Sequence, residues 1–319
     1  MSRLAIWTIL VAVSLYSPFV GVAHIDLFKI SDPSSLEHTL FFDLRLPRVL
    51  FAFSSGIILS LGGLIFQNIF RNSLMTPYTL GISSGAVLGA GIAIRLGLLS
   101  SIFGFATISV FGFLGAILTV FLLLYLSKFI NKTHSESLLL LGIALSLFYT
   151  SALMIVFYIG SSIQNDMLIR FTMGSLSVIG WRTPVVFFAL SMIFLYTIYL
   201  FRFHFQLLCI SDESARLKGL DTKKFTKLML FLSSVAIGML VSIAGPIGFI
   251  GLIVPHIVKK LYPQSVEKNI LKTAIFGGLI LLFCDTITRA IPTQSELPIG
   301  IITAFIGGPF FIYLIIKRD

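Results

Sequence analysis

The sequence predicts an all-α integral membrane protein with about ten transmembrane helices and both termini in the cytoplasm. Three observations carry this. Of the 319 residues, 57% are hydrophobic and 11% charged, with a mean hydropathy of +1.02. Soluble domains carry about 25% charged residues, so a chain of this composition needs lipid as solvent. Apolar runs of membrane-crossing length recur from one end to the other, and the Lys and Arg residues between them fall mostly on one side, which is the positive-inside bias.

A helix needs about 20 apolar residues to cross the hydrocarbon core. The runs that qualify are 4–22, 47–69, 78–97, 103–127, 137–159, 183–201, 226–244, 246–261, 270–289 and 298–316. In the first, Arg3, the apolar run and "GVA" at 21–23 have the outline of a signal peptide. A single Arg is a thin positive region, however, and the run is long enough to span, so it reads as the first helix. The second begins at Pro47, a residue tolerated in a first helical turn. The stretch 226–261 is too long for one helix, and "AGPIGFIGLIVPH" breaks it at Gly245, Pro246 and Gly248. With the N-terminus inside, Arg71, Lys128, Arg202, Arg216, Lys218, Lys223, Lys224, Lys259 and Lys260 lie inside. Arg45, Arg48, Arg95, Arg170, Arg182 and Arg289 lie outside. The net charge of +10 then reads as a topology signal rather than a nucleic-acid surface. One domain covers 1–319.

Between the sixth and seventh runs lies a polar stretch, "DESARLKGLDTKKF" (212–225), inside a cytoplasmic loop of about 202–225. "DESARLKGL" reads as a short helix, capped by Asp212 and ended by Gly219. Its length and amphipathic character suit docking onto a partner better than a plain connection.

Chemistry-bearing patterns are sparse. Neither Cys209 nor Cys284 reads as half of a disulfide, the five His have no metal-ligand spacing, and no GxxxxGK[ST] loop is present. No catalytic residue, cofactor or resident metal is expected, so uphill work would draw on another chain or on an ion gradient. "GISSG" (81–85) matches the nucleophile-elbow pattern but lacks the strand that should precede it, and His256 has no acid near it to orient it as a base. "NKT" (131–133) matches a glycosylation sequon on the expected cytoplasmic side. Asp285 is the one deep acid, which keeps an ion-coupled secondary transporter as the alternative. Arg289 at i+4 makes it read as a helix-face pair.

Several stretches together resemble one family. They are "RLPRVLFAFSSGIILSLGGLIFQNIFRNSLMTPYTLGISSGAVLGA" (45–90), "LLLLGIALS" (138–146), "MGSLSVIGW" (173–181), "DESARLKGL", "AGPIGFIGLIVPHIVK" (244–259) and "ELPIGIITAFIGGPFFIYLI" (296–315). In this order and spacing they resemble the permease subunits of iron–siderophore, haem and cobalamin ABC importers. The resemblance implies a type II ABC importer permease fold in the bacterial inner membrane, working as a homodimer. It implies two cytoplasmic ATPase subunits and a periplasmic binding protein as partners, and an iron chelate or cobalamin as cargo. It assigns ATPase coupling to Glu213, Ala215, Arg216 and Gly219. It assigns docking of the binding protein to Arg45, Arg48 and Arg289, and the translocation path to about 141–180, with Gly142, Ser146, Tyr149, Thr150 and Met154 as candidates. The family's inverted internal repeat leaves only faint Gly-rich echoes here.

Overall fold

In the computed structural model a helix stands at each of the ten apolar runs. Residues 3–21, 23, 26, 28–98, 100–102, 105–129, 135–210, 212–292 and 296–316 are described. The ten helices are α1 (Arg3–Tyr16), α3 (Leu46–Ile69), α4 (Ile82–Arg95), α5 (Thr107–Leu126), α6 (Ser135–Ile159), α8 (Arg182–Leu200), α11 (Thr222–Ala244), α12 (Ile250–Leu261), α13 (Val266–Ala290) and α14 (Ile299–Ile316). Four shorter helices lie between them: α2 (Leu36–Thr39), α7 (Ser162–Met173), α9 (Arg202–Ile210) and α10 (Asp212–Leu217). The strand content among the described residues is one antiparallel pair, Ser101–Ile102 with Phe105–Ala106. Among the described residues, six helices are long and apolar enough to cross a membrane. By contrast α12, with 12 residues, spans about 18 Å, less than the hydrocarbon core of about 30 Å.

The core is built around α3. Lipid is as apolar as Leu, so helices associate in it through close backbone approach rather than through the hydrophobic effect. A Cβ on Gly56 would overlap the Gly277 carbonyl of α13, and one on Gly63 would overlap the Gly251 carbonyl of α12. The same device joins α4 to α5, where Gly85 and Gly115 face each other's backbones. Trp7 ties α1 to this core, donating to the Tyr262 hydroxyl at 2.7 Å and meeting the Phe276 ring edge-on.

The start of α3 differs from expectation. Helical backbone continues upstream of Pro47 through α2 and a π turn, Leu40–Arg45, in which Leu46 N–H bonds the Phe41 carbonyl five residues back. Proline has no N–H, so the Asp43 carbonyl four residues earlier lacks its α-helical donor. It accepts from Gly180 N–H at 2.8 Å instead. The π turn thus ties the start of α3 to the irregular segment 174–181.

The expected break after α11 is present. Gly245 has φ +68°, and Phe249, at φ +66°, opens α12 in a conformation costly for a non-glycine residue. Irregular backbone inside a membrane protein must find its partners internally, and here three interruptions satisfy one another. Ser175 N–H donates to the Ala244 carbonyl at 2.7 Å, and Ile299 N–H, at the start of α14, donates to the Gly174 carbonyl at 3.2 Å.

Candidate functional site

The polar loop after α8 is held firmly. Phe201 and Phe205 each pack on Phe225, with ring centroids 5.7 and 5.3 Å from it, and His204 stacks on Phe225 at 5.4 Å. Arg71, just past the end of α3, donates to the Leu208 carbonyl of α9 through Nε at 3.1 Å and Nη2 at 2.7 Å. A guanidinium there satisfies a carbonyl that the end of the helix leaves without an amide.

α10 follows, with Ala215 fully buried. It ends as the sequence predicts. Leu220 N–H returns to the Ala215 carbonyl at 3.0 Å and Gly219 N–H to the Arg216 carbonyl at 2.9 Å, with Gly219 at φ +82°. This pair of bonds is the Schellman termination, which needs a left-handed residue. Asp221 then caps α11, accepting from Lys224 N–H at 3.1 Å. That N–H, with the Lys224 ammonium, holds the Asp221 carboxyl below its ordinary pKa. Outward the loop presents Arg216, Leu217 (89% exposed) and Lys218. Arg216 reaches back only weakly, to Thr222 Oγ1 at 3.4 Å. The side chains of 209–214, and with them the expected roles of Asp212 and Glu213, lie outside the described residues, as do residues 130–134 with the sequon. The result is a short helix that packs on α9 and the start of α11, with Arg216, Leu217 and Lys218 outward.

At the other end of α3 sits a buried charge network. Asp285 is fully buried. Its Oδ1 accepts from Arg48 at 3.0 Å and its Oδ2 from Arg289 Nε at 3.0 Å. Arg48 also holds Glu296 at 2.7 Å, and Arg289 donates to Ser17 Oγ at 2.6 Å and to the Ser17 carbonyl at 3.0 Å. Arg45 donates to the carbonyls of Pro18, Phe19 and Ala23. Asp285 and the more exposed Glu296 offset Arg48 and Arg289, while Arg45 is held by backbone carbonyls.

The three arginines expected to dock a partner, Arg45, Arg48 and Arg289, are 8%, 6% and 7% exposed, each engaged within the chain. The partners of Arg48 lie 237 and 248 positions away, beyond the reach of local pattern. The i+4 pairing of Asp285 with Arg289 is as the sequence suggested, with Arg48 added.

The candidate path residues divide into two groups. Gly142 and Tyr149 are buried in packing: a Cβ on Gly142 would press on the backbone of 79–80, and Thr119 Oγ1 lies 3.1 Å from the Tyr149 hydroxyl. Ser146 is half-buried and returns its hydroxyl to the Gly142 carbonyl at 2.9 Å. Thr150 and Met154 are exposed on the opposite face of α6 together with Leu147, Phe148 and Tyr158. Only 11% of the most apolar window of α6 is buried within this chain. Of the decoys, Ser83 is buried in α4, and His256 Nδ1 lies 2.8 Å from the Leu252 carbonyl. A carbonyl only accepts, so Nδ1 carries the proton and donates.

The comparisons agree with this architecture. A family model described as the FecCD transport family matches residues 6–317. The chain is 32% identical to the hemin transport system permease protein HmuU of Yersinia pestis, covering 97% of this chain and 93% of that one. It is 31% identical to the molybdate import system permease protein MolB of Haemophilus influenzae, covering 88% and 82%. A solved structure described as an inward-facing metal-chelate type ABC transporter superposes with a TM-score of 0.83, at 27% identity over 98% of each chain. With the family model matching nearly its full length, the chain belongs to the FecCD transport family of ABC transporter permeases.

Proposed function

We propose that this chain is the membrane-spanning subunit of an importer for an iron chelate, haem or cobalamin. It crosses the bacterial inner membrane ten times with both ends in the cytoplasm. The metal-chelate structural neighbour and the haemin permease relative support this cargo class. The molybdate relative, at nearly the same identity, shows how far cargo varies at this distance. The observation that carries the transport reading is the loop 202–225: α9 held by Arg71, then a short helix seated on Ala215, ended at Gly219, with Arg216, Leu217 and Lys218 turned outward. Such a helix passes a rigid-body displacement into α8 and α11, as a coupling element between a permease and two cytoplasmic ATPase subunits must. Glu213 joins it by the family resemblance.

A periplasmic binding protein docks at the opposite end. There Arg45, Arg48 and Arg289 shape the rim through their internal bonds, and Arg48 with the exposed Glu296 offers the group nearest solvent. Two copies face each other across the uncovered side of α6, with Thr150 and Met154 toward the path and Gly142, Ser146 and Tyr149 holding α6 against its neighbours. Ion coupling is disfavoured, because both oxygens of Asp285 are held by arginines and no proton or cation can use that carboxylate without breaking the network.

The test is reconstitution in vesicles. Uptake of cargo presented by the binding protein should require the ATPase subunits and ATP, and an ion gradient alone should give none. Gradient-driven uptake by this chain by itself would overturn the reading.

A further inference from the structure

A polar cleft of about 520 Å³ opens between the Arg71 end of α3, the last turns of α12 and the first turns of α13, with Gln206 of α9 on one side. Its volume suits a small ligand. Arg71 and Lys259 give it two cations, and no carboxylate lines it among the described residues. Ser265, which precedes α13, leaves the first amides of that helix without a side-chain cap, because its hydroxyl is turned to Glu267 at 3.1 Å. Glu267, in the first turn of that helix, keeps one carboxylate oxygen buried and unpartnered among the described residues, so it is the two cations at the mouth that favour an anion.

Deeper in, the chemistry changes. Asn269 and Thr273 lie one turn apart on α13 and both line the cleft. They are 5% and 0% exposed, and Asn269 Oδ1 and Thr273 Oγ1 have no hydrogen-bond partner among the described residues. The Asn269 amide cannot simply turn over, since its Nδ2 donates to the Tyr262 and Gln264 carbonyls at 2.9 and 3.3 Å. Buried polar atoms are nearly always paired, and an amide oxygen repels an anion but welcomes a donor. Cations at the mouth and an unpaired acceptor and hydroxyl within describe a two-part ligand.

We propose that this cleft binds a phosphate ester whose head group carries a hydrogen-bond donor, with the phosphate near Lys259 and Arg71 and the donor near Asn269 and Thr273. A membrane phospholipid with a glycerol head group and a free glycerol phosphate share this chemistry. Because Gln206 belongs to α9, an occupant also braces the loop that carries α10.

The experiment measures thermal unfolding of the full chain in phosphatidylcholine nanodiscs. Phosphatidylglycerol is added in one arm, millimolar glycerol phosphate in a second and inorganic phosphate in a third. At least one ester should raise the midpoint, and inorganic phosphate should not; a rise with the lipid alone assigns the lipid as source, and a rise with glycerol phosphate assigns the soluble ester. Lys259→Gln should weaken the response about tenfold in concentration, as loss of one charge-assisted hydrogen bond does. Thr273→Val removes an unpartnered hydroxyl, so its unliganded midpoint should hold or rise while at least half of the ester-induced shift disappears. Absence of any ester shift, an equal shift with inorganic phosphate, or full shifts in both variants would overturn the proposal.

Discussion

Asp285 shows how one buried carboxylate organises its surroundings. It neutralises Arg48 and Arg289 at once, and removing it would strand two guanidinium groups out of water. Asp285→Ala should therefore destabilise the folded chain by about 3–5 kcal/mol. Glu296, with its side chain 59% exposed, is screened by solvent, and Glu296→Gln should cost no more than about 1 kcal/mol. Unfolding in detergent measures both, and equal losses would mean the network is not centred on Asp285. Asp221 provides a pH readout in the polar loop. Its folded pKa is depressed, first by the Lys224 N–H, so its capping contribution is complete above the ordinary carboxylate value of about 4. The contribution is lost as pH falls through the lower folded value. Hydrogen exchange at the Lys224 amide should stay slow at about pH 5 and accelerate selectively as the pH drops below about 4. A flat profile would show that the cap does not hold the start of α11.

At the scale of the element, small residues let α3 touch α12 and α13 along its length. Gly63→Val would drive a side chain into the Gly251 backbone, which cannot yield as a flexible side chain can. The cost should exceed the 1–3 kcal/mol or so of ordinary overpacking, seen as loss of monodisperse protein on purification. Gly248→Ala is the control, since its added methyl meets nothing within 4 Å. Ten runs, the break at 245–248 and the stop at Gly219 were legible because each rests on local chemistry: apolar length, helix-breaking residues and a left-handed turn. α9 was legible in principle, since Phe201, Phe205 and Leu208 recur at helical spacing, as was α7, whose Ser161 and Gln164 form a capping box. The π turn before α3 and the burial of Arg45, Arg48 and Arg289 were not. They depend on Gly180, Ser17, Asp285 and Glu296, which only the assembled fold brings near.

For the molecule as a whole, the stiff parts and the open parts are separate. The charge network fixes one end of α3, while Arg71 and the aromatic cluster fix the polar loop near the other, about 36 Å away along 24 helical residues. The largely uncovered α6 stands apart from this frame. On the proposed reading, a displacement applied at α10 is carried into α8 and α11. The most direct test is to measure uptake and ATP hydrolysis side by side in reconstituted vesicles for wild type, Gly219→Pro and Arg216→Glu. Proline cannot take φ +82°, and Arg216→Glu reverses the charge that the loop presents. Both variants should insert normally and still bind the binding protein. They should lose at least about tenfold in cargo moved per ATP, as removal of a charge-assisted contact would. Wild-type transport per ATP in both would contradict the coupling role of this loop.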